Sequence, residues 1–288
     1  MSLLTFETLK DQGVSNLLMK LLLFGDSGAG KTHTAVTAPK PCVLLTEPNG
    51  ILSIHSSNPD AVVIDVTKIA AEKDVSPMTV VREFFKAALD GTFQNDLEIE
   101  TVIIDSLTEL QRMLKDEILD QKRGNGSAVV QWTLQDWSTL TDRMRKLIRS
   151  IRDLPFNVVC TALAEVNIDE QERRHVVPSF EGKKFANEIA GYFSLVGYVF
   201  KQSEEQEGEG QQSILRHRVL LNGPSTYLTK SISPLNAVEE PNIADWLVRI
   251  KGHNSGASQP AEVATMGQGK TAKRTTSRRQ RASATSAK

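Results

Sequence analysis

The stretch Gly25-Asp-Ser-Gly-Ala-Gly-Lys-Thr32 constrains this chain more than any other part of it. Its spacing is G-x-x-x-x-G-K-[ST], in which glycines let successive backbone N–H groups turn inward around phosphate oxygens. Such a loop needs a strand before it and a helix after it. The flanks supply both: an apolar run over Leu18–Phe24 leads in, and a helical stretch over Lys31–Ala38 leads out. On this chemistry Gly25, Asp26, Ser27, Gly28, Ala29, Gly30, Lys31 and Thr32 cradle the phosphates of ATP. The Lys31 ammonium is expected to reach the β- and γ-phosphates, and the Thr32 hydroxyl to bind Mg2+.

The rest of the chain continues the same alternation. Strand-like apolar runs fall at Cys42–Thr46, Ala61–Val66, Thr101–Asp105 and Asn157–Leu163, with helical patterns over Pro77–Leu89, Ser106–Lys122 and Leu134–Leu154 between them. The last is the clearest, because Trp137, Leu140, Met144, Leu147, Ile148 and Ile151 fall on one face. Continuous apolar strands separated by helices predict an α/β fold with a mostly parallel central sheet and helices on both faces. Beyond Leu163 the pattern changes to two expected hairpins, Glu165–Ile168 with His175–Val177 and Leu195–Phe200 with Ile214–Leu221, making the C-terminal portion rich in β-hairpins. The second is joined by the acidic loop Ser203–Gln212.

Charge divides the chain in two. Residues 252–288 hold seven lysines and arginines and only Glu262 as an acid, a net +6; the other residues carry 27 bases and 34 acids, a net −7. With Val263 and Met266 as its only large apolar residues, that tail is expected to be disordered. The folded domain is therefore drawn over residues 1–251 and the basic tail over 252–288. The body's negative charge excludes a generally basic nucleic-acid binder. No apolar run approaches the ~18 residues of a membrane span; Leu17–Phe24 is short and carries Lys20. No basic segment precedes an apolar one at the N-terminus, and the two cysteines, Cys42 and Cys160, lie in apolar runs as expected of buried thiols in a reducing cytoplasm.

A phosphate loop also needs an acid at the tip of a neighbouring strand. Asp65 and Asp105 both end strands, and Asp105 is preferred because Thr-Val-Ile-Ile-Asp is the longer, uniformly apolar run and feeds directly into a helix. Hydrolysis requires in addition a group that orients water. Glu47, at the end of the second strand and before Pro48 and Gly50, is the first choice, with Glu109 as its rival. Thr161 ends the fifth strand as a polar sensor of the γ-phosphate.

In this order, with Thr46-Glu47, Ile104-Asp105-Ser106, the long helix and the polar strand tip, the chain resembles the RecA-type P-loop ATPase core. It is similar above all to phage-encoded nucleotide-binding proteins of that class, some of which are single-strand-annealing ATPases. Supporting stretches are Leu134-Gln-Asp-Trp137, Leu154-Pro-Phe-Asn157 through Ala162, and Tyr227-Leu-Thr-Lys230, so that the likeness spans roughly residues 18–250. The resemblance implies a Mg2+-dependent, DNA-stimulated ATPase acting on single-stranded DNA in phage recombination, annealing or repair. It also implies a homo-oligomeric ring or filament with ATP between protomers, a single-strand-binding protein among its partners, and a cytoplasmic location, that of the bacterial host if phage-encoded. In such cores a neighbour's basic residue completes the site. Lys230 matches the lysine of the family's Lys-x-Arg pattern, while Ile232 stands where the arginine is usual. DNA is expected on loops that follow the core strands, here Arg173, Arg174, Lys183 and Lys184 with Phe180 as a stacking platform, and Lys122–Gly126 as a second basic loop. The alternatives are a helicase-loader or packaging-type motor, a P-loop kinase, and an ATP-gated interaction module.

Overall fold

Successive residues of a strand point to opposite faces, and in the central strands both directions are apolar. Leu22 and Phe24 of β1 (Lys20–Gly25) enter one core cluster, whereas Leu21 and Leu23 enter another. A sheet built from such strands must be covered on both sides. The computed structural model describes residues 17–124, 131–205 and 213–254 of the chain, except for the side chains of Lys183, Lys184, Glu205 and Asn254.

After β1 come α1 (Lys31–Ala35), β2 (Pro41–Leu45), α2 (Ile51–Ser57), β3 (Val62–Asp65), α3 (Val66–Lys73), α4 (Pro77–Leu89), α5 (Thr92–Asn95) and β4 (Thr101–Asp105). They are followed by α6 (Leu107–Gly124), α7 (Leu134–Arg152), β5 (Asn157–Ile168), β6 (Arg174–Pro178), α8 (Lys183–Glu188), β7 (Leu195–Glu205), β8 (Ser213–Leu220), β9 (Val238–Glu239) and α9 (Ile243–Asn254). The sheet order is β3-β2-β4-β5-β1-β7-β8-β9, with β6 paired to β5. All strands from β3 to β7 in that order are parallel, and β6, β8 and β9 are antiparallel to their neighbours. Helices α3 to α8 cover the face of Leu22 and Phe24, and α1, α2 and α9 the face of Leu21 and Leu23. The α/β, RecA-like architecture expected from the sequence is the one observed.

Helix α7 shows how local sequence sets an element. Thr133 and Asp136 cap each other's backbone N–H groups at its start, and Leu140, Met144, Ile148 and Ile151 are buried along one face. Several bounds differ from the sequence reading. The helix after the phosphate loop ends at Ala35, three residues early. β5 runs five residues past Leu163, so the first hairpin grows directly out of a core strand. β7 is not only half of a hairpin; it joins the main sheet beside β1, with Leu21 opposite Leu195. α9 continues to Asn254, three residues past the expected domain end. The division of the chain falls between Ala257 and Ser258, giving residues 1–257 and 258–288. The second, which contains most of the basic tail, lies outside the described residues, as do 206–212 of the acidic loop and 125–130. Among the described residues no helix is long and apolar enough to cross a membrane.

Candidate functional site

The loop leaving β1 turns back on itself through Gly28 (φ 72°) and Gly30 (φ 101°), a left-handed backbone that a side chain would strain. Lys31 lies along the inside of this turn, its ammonium donating to the carbonyls of Gly25 (2.9 Å) and Asp26 (2.8 Å). Burial lowers the Lys31 pKa from its ordinary value, opposed by the charges of Asp105, Glu47 and Asp26. One residue on, the Thr32 hydroxyl donates to Asp105 Oδ2 at 2.8 Å.

Asp105 reaches this point because of the strand order. β5 lies between β4 and β1, so the tips of three adjacent strands bring together the loop, Thr161 and Asp105. The Thr161 hydroxyl donates to Asp105 Oδ1. Burial pushes the Asp105 carboxyl up, and the Glu47 charge adds to this; the hydroxyls of Thr161 and Thr32, and Lys31, pull the other way. Thr32 and Asp105 offer hard oxygen donors, the chemistry that suits Mg2+.

The tips of β2 and β4 are stitched together next to it. Thr46 N–H donates to the Asp105 carbonyl (2.8 Å), Ser106 N–H donates to Thr46 Oγ1 (2.7 Å), and the Ser106 hydroxyl donates to Glu47 Oε1 (2.7 Å). The Asp105–Ser106 peptide is cis. Glu47 is thereby held at the site, whereas the Glu109 carboxylate accepts from Arg112 (2.9 Å) on the first turns of α6. Asp65 is used otherwise: its side chain accepts from Lys68 N–H (2.9 Å) and caps α3. A cleft of about 320 Å³ opens over the loop, bordered by Gly28, Gly30, Lys31, Thr32, His33 and His217.

The structure thus gathers Lys31, Thr32, Glu47, Asp105 and Thr161 and leaves Lys230 apart. Lys230 pairs its backbone with Val196, and its ammonium donates to the Phe193 carbonyl (2.8 Å). The residues proposed for DNA fare unevenly. Arg174 is exposed, but Arg173 is drawn to Asp169 (2.7 Å). Phe180 is not a stacking platform. It is 4% exposed and stands edge-on to Phe185, ring centres 5.3 Å apart. Its polar neighbours in sequence suggested exposure, but the chain turns the ring under α8. The side chains of Lys183 and Lys184 lie outside the described residues. Lys122 pairs with Asp136 and Arg123 with Asp120, Gly124 is the last residue of α6, and Asn125 and Gly126 lie outside the described residues. Sequence reasoning passed over Thr46, Ser106 and His217. The first two adjoin residues it did choose, and nothing local marks the third.

No curated protein matches the sequence. Among solved structures the chain is similar to the flagellar accessory protein FlaH from Methanocaldococcus jannaschii, at 10% identity, covering 80% of this chain and 88% of that one with a TM-score of 0.33. The model of the AAA domain matches residues 18–231, most of the chain and every residue of the site from Gly25 to Thr161. With a phosphate loop, a strand-tip aspartate and, between them, a core strand tipped by Thr161 inside that match, the chain belongs to the AAA domain family of P-loop ATPases.

Proposed function

We propose that this protein is a Mg2+-dependent ATPase whose turnover is coupled to single-stranded DNA, in recombination, annealing or repair. The observation that carries the reading is the length of β5. One unbroken strand bears Thr161 at the nucleotide end and runs on to Val166 and Ile168, which are exposed, and to the turn that holds Arg173 and Arg174. β5 is flanked by β1 and β4 over Val158–Cys160 and pairs with β6 alone from Ala164 to Ile168, so in this reading a change at Thr161 passes along one continuous strand from the sheet to the hairpin.

At the nucleotide end each residue has a definable task. Lys31 exchanges the two loop carbonyls for the β- and γ-phosphates. Thr32 and Asp105 would hold Mg2+, which would supply neutralisation of the phosphate charge. Glu47, oriented by Ser106, accepts the hydrogen bond of the attacking water and aligns it for in-line displacement. Thr161, bonded to Asp105, registers whether the γ-phosphate is present. At the hairpin end, a cleft of about 430 Å³ bordered by Asn167, Asp169, His175, Asn187 and Tyr227 supplies an aromatic ring with amide groups beside it. Stacking of a base on such a ring contributes about 1–3 kcal/mol.

The test uses protein ending at Asn254, so that the basic tail does not mask the result. ATP hydrolysis is measured with and without single-stranded DNA, and DNA binding is measured in Mg-ATP across salt concentrations. Stimulation and a salt-dependent affinity are expected. ATPase activity with no DNA binding would replace this reading with the motor or loader alternative.

A further inference from the structure

The phosphate loop is not supported by β1 and α1 alone. From β8, two strands over from β1, His217 reaches over it, and the imidazole Nδ1–H donates to the Ala29 carbonyl at 2.6 Å. The ring lies so close that a Cβ on Gly30 would meet Nδ1 at 2.6 Å. In a trans peptide the carbonyl and the next N–H point in opposite directions. Drawing the Ala29 carbonyl toward His217 therefore turns the Gly30 N–H the other way. That N–H has no partner among the described residues. Gly28 and Gly30, on either side of Ala29, both have positive φ, the left-handed conformation that glycine adopts without strain.

We propose that His217 is a positioning residue of the ATP site: by holding the Ala29 carbonyl it keeps the Gly30 N–H facing the nucleotide phosphates. The inference rests on reading the loop as a nucleotide site. The arm that carries His217 is itself braced. Glu204 on β7 binds both Arg216 (2.9 Å) and Arg218 (2.5 Å), the residues on either side of His217, and Arg218 also reaches Glu240 (2.8 Å). The β7–β8 hairpin thus fixes a dipole in the phosphate cradle before any nucleotide arrives.

Binding of Mg-ADP and of a non-hydrolysable Mg-ATP analogue is measured by calorimetry for the wild type, His217→Ala and His217→Asn. The asparagine amide nitrogen takes the place of Nδ1, whereas alanine leaves the carbonyl unheld. His217→Ala is expected to weaken binding about tenfold or more, the loss of one hydrogen bond to a charged group, while His217→Asn stays within about threefold of the wild type. The KM for ATP rises in parallel and kcat changes little, because Glu47 and Asp105 are untouched. Nucleotide-free melting temperatures of the two variants are compared; equal values with unequal affinities support positioning over mere packing. If His217→Ala does not fold, His217→Gln, which fills the space but carries its amide one bond farther out, is read in its place. Wild-type affinity in His217→Ala, or failure of asparagine to restore binding, overturns the latch alone. A wild type that binds neither nucleotide overturns the reading of the site itself, and the latch with it.

Discussion

Single residues decide the chemistry here by what holds them. Among the described residues the Glu47 carboxylate accepts from one hydroxyl, that of Ser106, and makes no hydrogen bond to the phosphate loop. Glu47→Gln is therefore expected to bind ATP as the wild type does while turnover falls by roughly 10²–10⁴, the scale of general-base loss. Titration calorimetry and steady-state hydrolysis check both halves, and loss of turnover in Glu109→Gln instead would identify the wrong acid. Phe180 illustrates the reverse case, a residue whose role changes once its surroundings are known. Buried against Phe185, it is a core ring. Phe180→Ala should lower stability by about 3–5 kcal/mol and leave the DNA affinity of the folded fraction unchanged, which denaturation and binding curves separate. The candidate site was legible where its chemistry is contiguous in sequence, as in Gly25–Thr32. Asp105 and Thr161 were legible as polar ends of apolar runs. The bond between Ser106 and Glu47, 59 residues apart, and that of His217 to Ala29, 188 apart, depend on strand order and leave no local trace.

Elements were legible in proportion to their burial. β4 is buried at every position and its bounds match the sequence pattern to the residue. α2 was not seen, because only Ile54 of its seven residues is buried and no apolar stripe forms. Asp65 caps α3 with its own side chain, so Val66, which reads as strand, begins a helix. Elements are also joined by single polar ties. The Lys20 ammonium of β1 donates to the carbonyls of Leu154 (2.6 Å) and Phe156 (2.7 Å), just past the end of α7. Burial lowers its pKa from 10.5 to about 8, with Cys160 and Asp153 opposing. Between those two values the unfolded chain binds more protons than the folded one, so this group's contribution makes stability rise with pH from about 8 toward 10.5. Denaturant unfolding at a series of pH values should show that rise, and Lys20→Met should flatten it.

At the scale of the whole molecule, the last helix belongs to the first. Ile243, Trp246, Leu247 and Ile250 of α9 pack in the same cluster as Ala35 and Val36, and Ile243 N–H donates to Thr37 Oγ1 (2.9 Å). Protein truncated after Asn254 retains all of these contacts, and its melting temperature should equal that of the full chain. Truncation before Ile243 should prevent folding. Soluble yield and thermal melts distinguish the two. The sheet order has a further effect, on the way the chain is made. Among the described residues β1 is the earliest strand in the chain, and it pairs there with β5 and β7, whose contacts begin at Val158 and Leu195. At about 5–20 residues per second, the ribosome keeps the run Leu21–Phe24 waiting roughly ten to thirty seconds before its second edge is covered. Both sides of that apolar strand are open until β5 is made, and one stays open until β7 follows. The strand that leads into the nucleotide loop is therefore the segment for which shielding by a chaperone during synthesis would matter most.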